Sequence, residues 1–461
     1  MDFNKFLDNE LENMISTLDR LVNIPSVGTT QVGDAPFGTE ALAALKEVVD
    51  IAKEFGLKAY IYDNRVAIID LYPEPTPVIG ILAHADVVPA GNGWAYDPFK
   101  VTQVGDTLYG RGVIDNKGPI VSALYAMKYI LDNNTKLSQN VRLIVGSDEE
   151  RGSSDLSYYI ARQQLPQYVF TPDANYPVIN TEKGRATGLF AKATAYPDNA
   201  SQKVLSAKGG TVINAVPDRA YATVQGYTFE ELDNALDQIT STAEFELIAQ
   251  ENDLIDIVVY GRSAHASLPE TGENAVTALC EFLSILDAQW ESVINASPHG
   301  DIYGTALGIE SEDEISGKLT YSFDLLEYEG QTIKGTFDIR FPICLSKEQL
   351  QEMLKEGFSK YDLEFIKYSA CNPHHTDKNS ILVKTLLEVY EKVTGEKGRP
   401  LAVGGGTYAH GIPGAVAFGP EIEGVDNKIH GADEFITIDH FKMNTKMMYN
   451  AIVMLTKSFE I

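Results

Sequence analysis

Cysteine and positive charge are both scarce in this chain, and long apolar runs are missing. The three cysteines, Cys280, Cys344 and Cys371, are odd in number and far apart. That pattern excludes a disulfide framework and suits reduced thiols in a cytoplasmic protein. No CxxC pair occurs, so any metal must be taken by histidines and carboxylates. Lys and Arg number 37 against 65 Asp and Glu, a formal charge of −28. Such an acidic chain is poorly matched to nucleic acid or an anionic membrane surface, and suits cations or small molecules. No apolar stretch approaches the roughly 18–20 residues that cross a bilayer. The opening MDFNKFLDNELENM is acidic and amphipathic, without the basic start and apolar run of a secretory signal.

What is present is a globular composition, 44% apolar and 22% charged, over 461 residues. That length exceeds what one core usually serves and predicts two domains. Residues 3–23 carry a helical period stopped by Pro25, and a second amphipathic helix spans 40–55 before Gly56. AYIYDNRVAIIDL reads as a hairpin. PVIGILA (77–83), VRLIVGS (141–147) and QYVFTPD (167–173) read as buried strands, with a helix over 119–131 between the first two. This rhythm predicts an α/β domain with a largely parallel sheet. From Arg185 to about Thr376 the strands become two-faced, with three helical stretches. Two units there are similar: AVPDRAYATVQGY before TFEELDNALDQI, and QTIKGTFDIRFPI before SKEQLQEMLKEGF. Each reads as strand, helix, strand. The α/β texture then returns, with a helix to about Thr394, the glycine-rich GGGTYAHG (404–411), a strand AVAFG and a last helix from Asp439. The expectation is an α/β domain, 1–184 plus 377–461, interrupted by an inserted α+β domain, 185–376.

Three H-x-D patterns occur, about two more than chance supplies: His84–Asp86, His299–Asp301 and His375–Asp377. The last two sit in polar loops and read as solvated surface. His84 instead ends a buried strand, at the carboxyl edge where open α/β sheets place their sites. Asp115 (GRGVIDNKGP), Asp148, Glu149 and Glu150 (after VRLIVGS) and Asp173 (after YVFTP) stand at similar edges. Any one of these could be an ordinary helix cap or a solvated turn. Together they crowd anions at a cost of several kcal/mol unless a cation compensates, and a pair of divalent ions such as Zn²⁺ or Mn²⁺ would do so. Glu149 and Glu150 point apart, so one can bind metal while the other takes a proton from water. His265 (GRSAHASLPETGENA) could be a capping histidine. His430 lies in KIHGADEF. The Gly404–Gly406 run lacks the GK[ST] of a phosphate loop but permits close backbone approach.

These segments together resemble the metallopeptidase-20 family of dinuclear zinc hydrolases, which includes aminoacylase, glutamate carboxypeptidase and carnosinase. The matching stretches are LVNIPSV, ILAHADVVPAG, LYGRGVIDNKGP, SDEERGSSD, TPDANYPVINTEKG, GRSAHASLPETGENA and KIHGADEF, in family order. Length and the large insert look most like the bacterial PepV-type dipeptidases. The resemblance implies a zinc-peptidase-like three-layer α/β/α catalytic domain interrupted by an α+β lid of two similar halves. It implies that His84 and Asp173 hold one metal, Glu150 and His430 the other, and that Asp115 bridges them. Asp86 would hydrogen-bond His84, Glu149 would be the general base, and His265 would stabilise the oxyanion. Asn214 and Arg340 would grip the substrate carboxylate, and a cis peptide would follow Asp115.

The activity implied is hydrolysis of dipeptides with a free N-terminus, including β-Ala-His types, using two divalent ions, Zn²⁺ first and Mn²⁺ or Co²⁺ as substitutes. An N-acyl amino-acid deacylase or desuccinylase shares these motifs. A non-catalytic binder on the same scaffold would be expected to lack Glu149 or a ligand. In dimeric relatives the partner subunit lends the oxyanion histidine. The long insert here implies a monomer that uses its own His265, with no nucleic-acid or membrane partner.

Overall fold

Apolar residues three and four apart, among them Leu7, Met14, Leu18 and Leu21, bury one face of a helix over Phe3–Val22. Asp2 caps its start by accepting the amides of Asn4 and Lys5. The computed structural model describes residues 2–197 and 199–458. The chain forms two units. The first runs to Thr181 and resumes over His375–Leu401 and from Gly406 onward; the second is Glu182–His374 with Ala402–Gly405.

In the first unit, Thr39–Glu54 is the second helix, and Gly56 follows it in the left-handed conformation (φ 79°). Asp63 and Asn64, both at positive φ, turn the hairpin of Lys58–Tyr62 and Val66–Asp70. Among the described residues, seven strands of a nine-stranded sheet lie in the order Lys58–Tyr62, Val66–Asp70, Val141–Gly146, Ile79–His84, Tyr168–Thr171, Val416–Ala417 and Val178–Glu182. The third to sixth are parallel, and the neighbours on either side pair antiparallel. The sheet is therefore parallel where the site motifs leave it and antiparallel toward its edges.

Side chains alternate across this sheet. Ala67, Ile69, Ile81, Leu143 and Val145 face a core shared with the helices Phe3–Val22, Thr39–Glu54, Lys117–Asp132, Ile381–Thr394 and Ile438–Lys457. Val66, Ile68, Leu82 and Ile144 face the opposite way, against Leu156 and Tyr159 of the short helix Ser154–Ile160 and against Tyr408, Ala409 and Ile412. Three layers result, the second helical layer thin.

In the second unit, eight strands form one antiparallel sheet: Glu244–Ala249, Leu254–Tyr260, Arg219–Gln225, Lys203–Gly209, Thr320–Tyr328, Thr332–Phe341, Gly184–Ala193 and Glu364–Cys371. Two four-strand halves meet where Ala207 pairs with Tyr328. Each half carries a helix begun by a capping box, Thr228 with Glu231 for Phe229–Leu236 and Ser346 with Gln349 for Lys347–Lys360. Alternate burial along Leu254–Tyr260 fits one face on the core and one in solvent. Among the described residues this unit has four α-helices rather than three. The extra one, Glu291–Ala296, is too short to show a period and is held by buried Trp290 and Val293.

Candidate metal centre and active site

Three neighbouring parallel strands end at one edge of the first unit's sheet. His84 is the last residue of Ile79–His84 and pairs in register with Gly146. Beyond Gly146 the chain makes a short 3₁₀ turn at Glu149–Arg151, and beyond Tyr168–Thr171 it reaches Asp173. Asp115 stands just before the helix Lys117–Asp132, and His430, at φ 60°, lies in the loop ahead of Phe435–Thr437. The Asp115–Asn116 peptide is cis.

His84 Nδ1 lies 3.0 Å from the backbone carbonyl of Asp86. A carbonyl only accepts, so Nδ1 carries the hydrogen. His84 Nε2 then faces Asp115 Oδ1 at 3.0 Å and Asp173 Oδ1 at 3.3 Å. His430 Nε2 likewise stands 3.0 Å from Asp115 Oδ2 and 3.2 Å from Glu150 Oε2. Lone pairs aimed at carboxylates are tolerable only with a positive charge between them. Asp115 Oδ1 is buried and accepts no hydrogen bond. An orphaned acceptor among mixed imidazole and carboxylate donors fits divalent ions of the Zn²⁺ or Mn²⁺ kind. Two overlapping donor sets, each within 4.8 Å, are able to hold an ion: His84, Glu149 and Asp173, and His84, Asp115 and Glu150.

Proton affinities record the same crowding. Burial and the charge of Asp173 push Glu149 well above the usual carboxylate range. Burial lifts Asp173 to about 6 against the pull of His84. Burial opposes an imidazolium at His84, yet the Asp173 charge and the Asp115 contact raise its pKa well above 6.5. Hydrogen bonds to Asp115 and Glu150 carry His430 to about 11. The cluster holds protons on imidazoles wherever no other cation offsets its carboxylates.

The sequence reading gives the Asp86 carboxylate the task of holding His84. In the structure that carboxylate is 3.6 Å from Nδ1, and Nδ1 donates its hydrogen to the Asp86 carbonyl instead, at 3.0 Å. The carboxylate oxygens accept the amides of Glu149 (3.2 Å) and Glu150 (3.1 Å), so Asp86 clamps the turn that carries both glutamates. The carboxylate of Glu149, the expected general base, lies within reach of the His84–Asp173 pair, while Glu150 keeps company with His430.

Several neighbours were not singled out. Glu434, inside the KIHGADEF stretch, accepts amides of Gly112, Ile114 and Asp115 (3.0–3.3 Å) on one oxygen and pairs with Arg111 (2.7 Å) on the other. Asn116 donates to Asp173 Oδ1 (3.2 Å) and the Pro172 carbonyl (2.5 Å). Lys117 is buried and donates to the carbonyls of Leu21 (2.9 Å) and Ile24 (2.8 Å). Asp155 accepts the amides of Ser147 and Asp148 and the hydroxyl of Tyr408 (2.6 Å). Burial and the charges of Asp115 and Asp173 lift Glu421 to about 7. Each lies in or beside a quoted motif; only a contact in space separates it from other polar residues.

The remaining sequence candidates belong to the second unit. His265 ends the two-residue strand Ala264–His265, whose partner Ala215–Val216 follows Asn214 (φ 81°). Arg340 is buried; Asp338 takes its Nε (2.7 Å) and Nη2 (3.1 Å), and the Gly404 carbonyl takes Nη1 (2.8 Å). His299 pairs with Glu273 (3.2 Å) and Thr277 (2.9 Å) beside a cavity of about 70 Å³, with a structural contact rather than solvent around it.

The family model described as peptidase family M20/M25/M40 matches residues 80–454. The chain belongs to this family. A relative, the putative dipeptidase YtjP of Bacillus subtilis (strain 168), is 36% identical over 457 residues, covering 97% of this chain and 98% of its own. The Beta-Ala-Xaa dipeptidase of Lactobacillus delbrueckii subsp. lactis is 30% identical over 474 residues, covering both chains fully. Among solved structures, the M20 family metallo-carboxypeptidase Sso-CP2 from Sulfolobus solfataricus shares the fold. Its TM-score is 0.59 at 19% identity, over 96% of this chain and 99% of that one. The M20 chain is thus a peptidase-family enzyme with donor groups suited to two metal ions.

Proposed function

We propose that this M20 chain is a metal-dependent dipeptidase that hydrolyses dipeptides with a free N-terminus, β-Ala-Xaa types among them. The observation that carries this is the convergence of His84, Asp115, Glu150, Asp173 and His430 at one sheet edge, with Glu149 beside them. Full-length likeness to relatives named as dipeptidases supports the substrate class. His84 and Asp173 would hold one ion, Glu150 and His430 the other, and Asp115 would serve both. Bound there, two divalent ions, Zn²⁺ foremost and Mn²⁺ or Co²⁺ as substitutes, supply Lewis-acid polarisation of the scissile carbonyl and acidify the attacking water.

Glu149 takes the proton of that water on its carboxylate and hands it to the leaving amine nitrogen. Burial supports this role, since a carboxylate with raised proton affinity is a better base. Asp86 keeps the turn of Glu149 and Glu150 in place through their amides. His265 donates to the oxyanion, and Asn214 with Arg340 receives the substrate carboxylate. Asp338 and Gly404 occupy three of the five N–H groups of Arg340, so the carboxylate is met by the remaining Nη edge. The enzyme works as a monomer, a reading supported by the two halves of its insert, and in the cytoplasm, which its free cysteines suit.

The test is a panel of free dipeptides, including β-Ala-His, against N-acetyl and N-succinyl amino acids, run before and after chelation with elemental analysis. Metal-dependent turnover confined to dipeptides is expected. Preference for the acylated substrates would replace the proposal with a deacylase, and no turnover with two metals bound would point to a binding protein.

A further inference from the structure

His265 and Ser267 make a local contact that decides where a proton sits. The backbone amide of Ser267 lies 3.1 Å from His265 Nδ1 as donor, and the Ser267 hydroxyl oxygen lies 2.6 Å from the same nitrogen. A backbone amide has a hydrogen to give and nothing to accept with. His265 Nδ1 must therefore present its lone pair. A neutral imidazole has a single N–H, which leaves it on Nε2. An imidazolium would set a hydrogen on Nδ1 against the amide hydrogen. We infer that Ser267 is a positioning residue that holds His265 as the neutral tautomer with its proton on Nε2.

The surroundings hold Ser267 in place. Ala266 donates its amide to the Asn214 carbonyl and Leu268 donates its amide to the His265 carbonyl, both at 2.9 Å, so the loop closes around the pair. A Cβ on Gly404 would come within 2.7 Å of Ser267 Cβ, so the backbone there lies flush against the serine and only glycine fits. Gly404 is kept there by Arg340 Nη1, and Arg340 is aligned in turn by the two-point contact with Asp338. A run of contacts thus joins Asp338, Arg340, Gly404, Ser267 and His265. This gives Gly404, the first glycine of the run, a reason to lack a side chain.

The consequence rests on the oxyanion role given to His265 above. A neutral Nε2–H donates to a developing oxyanion without first having to be charged. A histidine that had to be an imidazolium would lose this donor as the pH rose.

The direct test is ¹⁵N NMR of the metal-loaded full chain labelled at histidine nitrogen, with His265 assigned by its loss in His265→Gln. At neutral pH, Nε2 should show the shift of a protonated ring nitrogen and Nδ1 that of an unprotonated one. A proton on Nδ1, or on both nitrogens, overturns the inference. In kinetics, Ser267→Ala should lower kcat about tenfold with KM little changed, and Ser267→Thr should restore it. A Ser267→Ala enzyme with unaltered kcat, or a Thr variant no better than Ala, counts against the positioning role. His265→Gln should retain more activity than His265→Asn, because the Gln amide nitrogen stands where imidazole Nε2 does; the reverse order also overturns it. The NMR result does not depend on turnover, so the two readings fail separately: full kcat in His265→Ala would sink the oxyanion role alone.

Discussion

Glu149, proposed above as the general base, and Asp324 are two carboxylates whose proton affinity is raised by their surroundings. Glu149→Gln keeps size and polarity but cannot take a proton. It should lower kcat by about 10²–10⁴-fold while metal content by elemental analysis stays at the wild-type level. Near-normal turnover would remove Glu149 from the proton-transfer step. Asp324 lies in the second unit, accepting the Asn214 amide (2.8 Å) and contacting Ser322 Oγ (2.5 Å). Burial lifts its pKa to about 8, against about 3.9 in an unfolded chain. Folding therefore keeps a proton that the unfolded chain releases. That stabilisation is whole below about pH 4 and is lost as the pH rises through 8. Asp324→Asn imitates the protonated form and should flatten the fall in Tm between about pH 4 and 8. A variant with the wild-type slope would show that Asp324 does not set it.

At the scale of elements, the site depends on turns held by carboxylates that touch no reacting atom. Glu434 ties the Gly112–Asp115 loop to the loop of His430, because its two oxygens collect three amides and the Arg111 guanidinium. Glu434→Gln turns an acceptor into a donor facing Arg111. It should weaken metal affinity about 10- to 100-fold in a chelator-competition titration and leave kcat at saturating metal largely intact. Unchanged affinity would mean the loop holds its shape unaided. Sequence periodicity located the strands that deliver His84, Glu149, Glu150 and Asp173, because buried parallel strands read as apolar runs whose ends are easily marked. It marked the hairpin at one edge of that sheet, but not the antiparallel pairing of that hairpin or of Val178–Glu182 with the parallel strands, since pairing direction is a tertiary property. The second task of Asp86 was hidden for a similar reason: its partners are amides 63 and 64 residues away, and amides look alike in any sequence. Glu434 lay in a motif already quoted, where proximity to His430 masked its own work.

Across the molecule, the acidic excess and the crowded edge act in the same direction. With 65 acidic and 37 basic residues, the fold carries self-repulsion that bound cations relieve. Chelation should lower Tm and readdition of metal restore it, by about 2.7 kcal/mol of stability at free metal 100-fold above Kd. An identical Tm for the stripped and loaded protein would mean that the donors sit together without needing an ion. Raising ionic strength should narrow the gap only partly, because screening acts on the exposed charges more than on the buried cluster.

Lys117 gives the opening helix a stake in this centre. Its ammonium is fastened to the carbonyls that close Phe3–Val22 and the turn after it, and it stands two residues from Asp115. A chain trimmed of its first two dozen residues would keep every donor named above, yet would strand that amine in an apolar interior. Such a shortened enzyme would leak its ions on dialysis, and an N-terminal fusion that pries the helix loose would do the same.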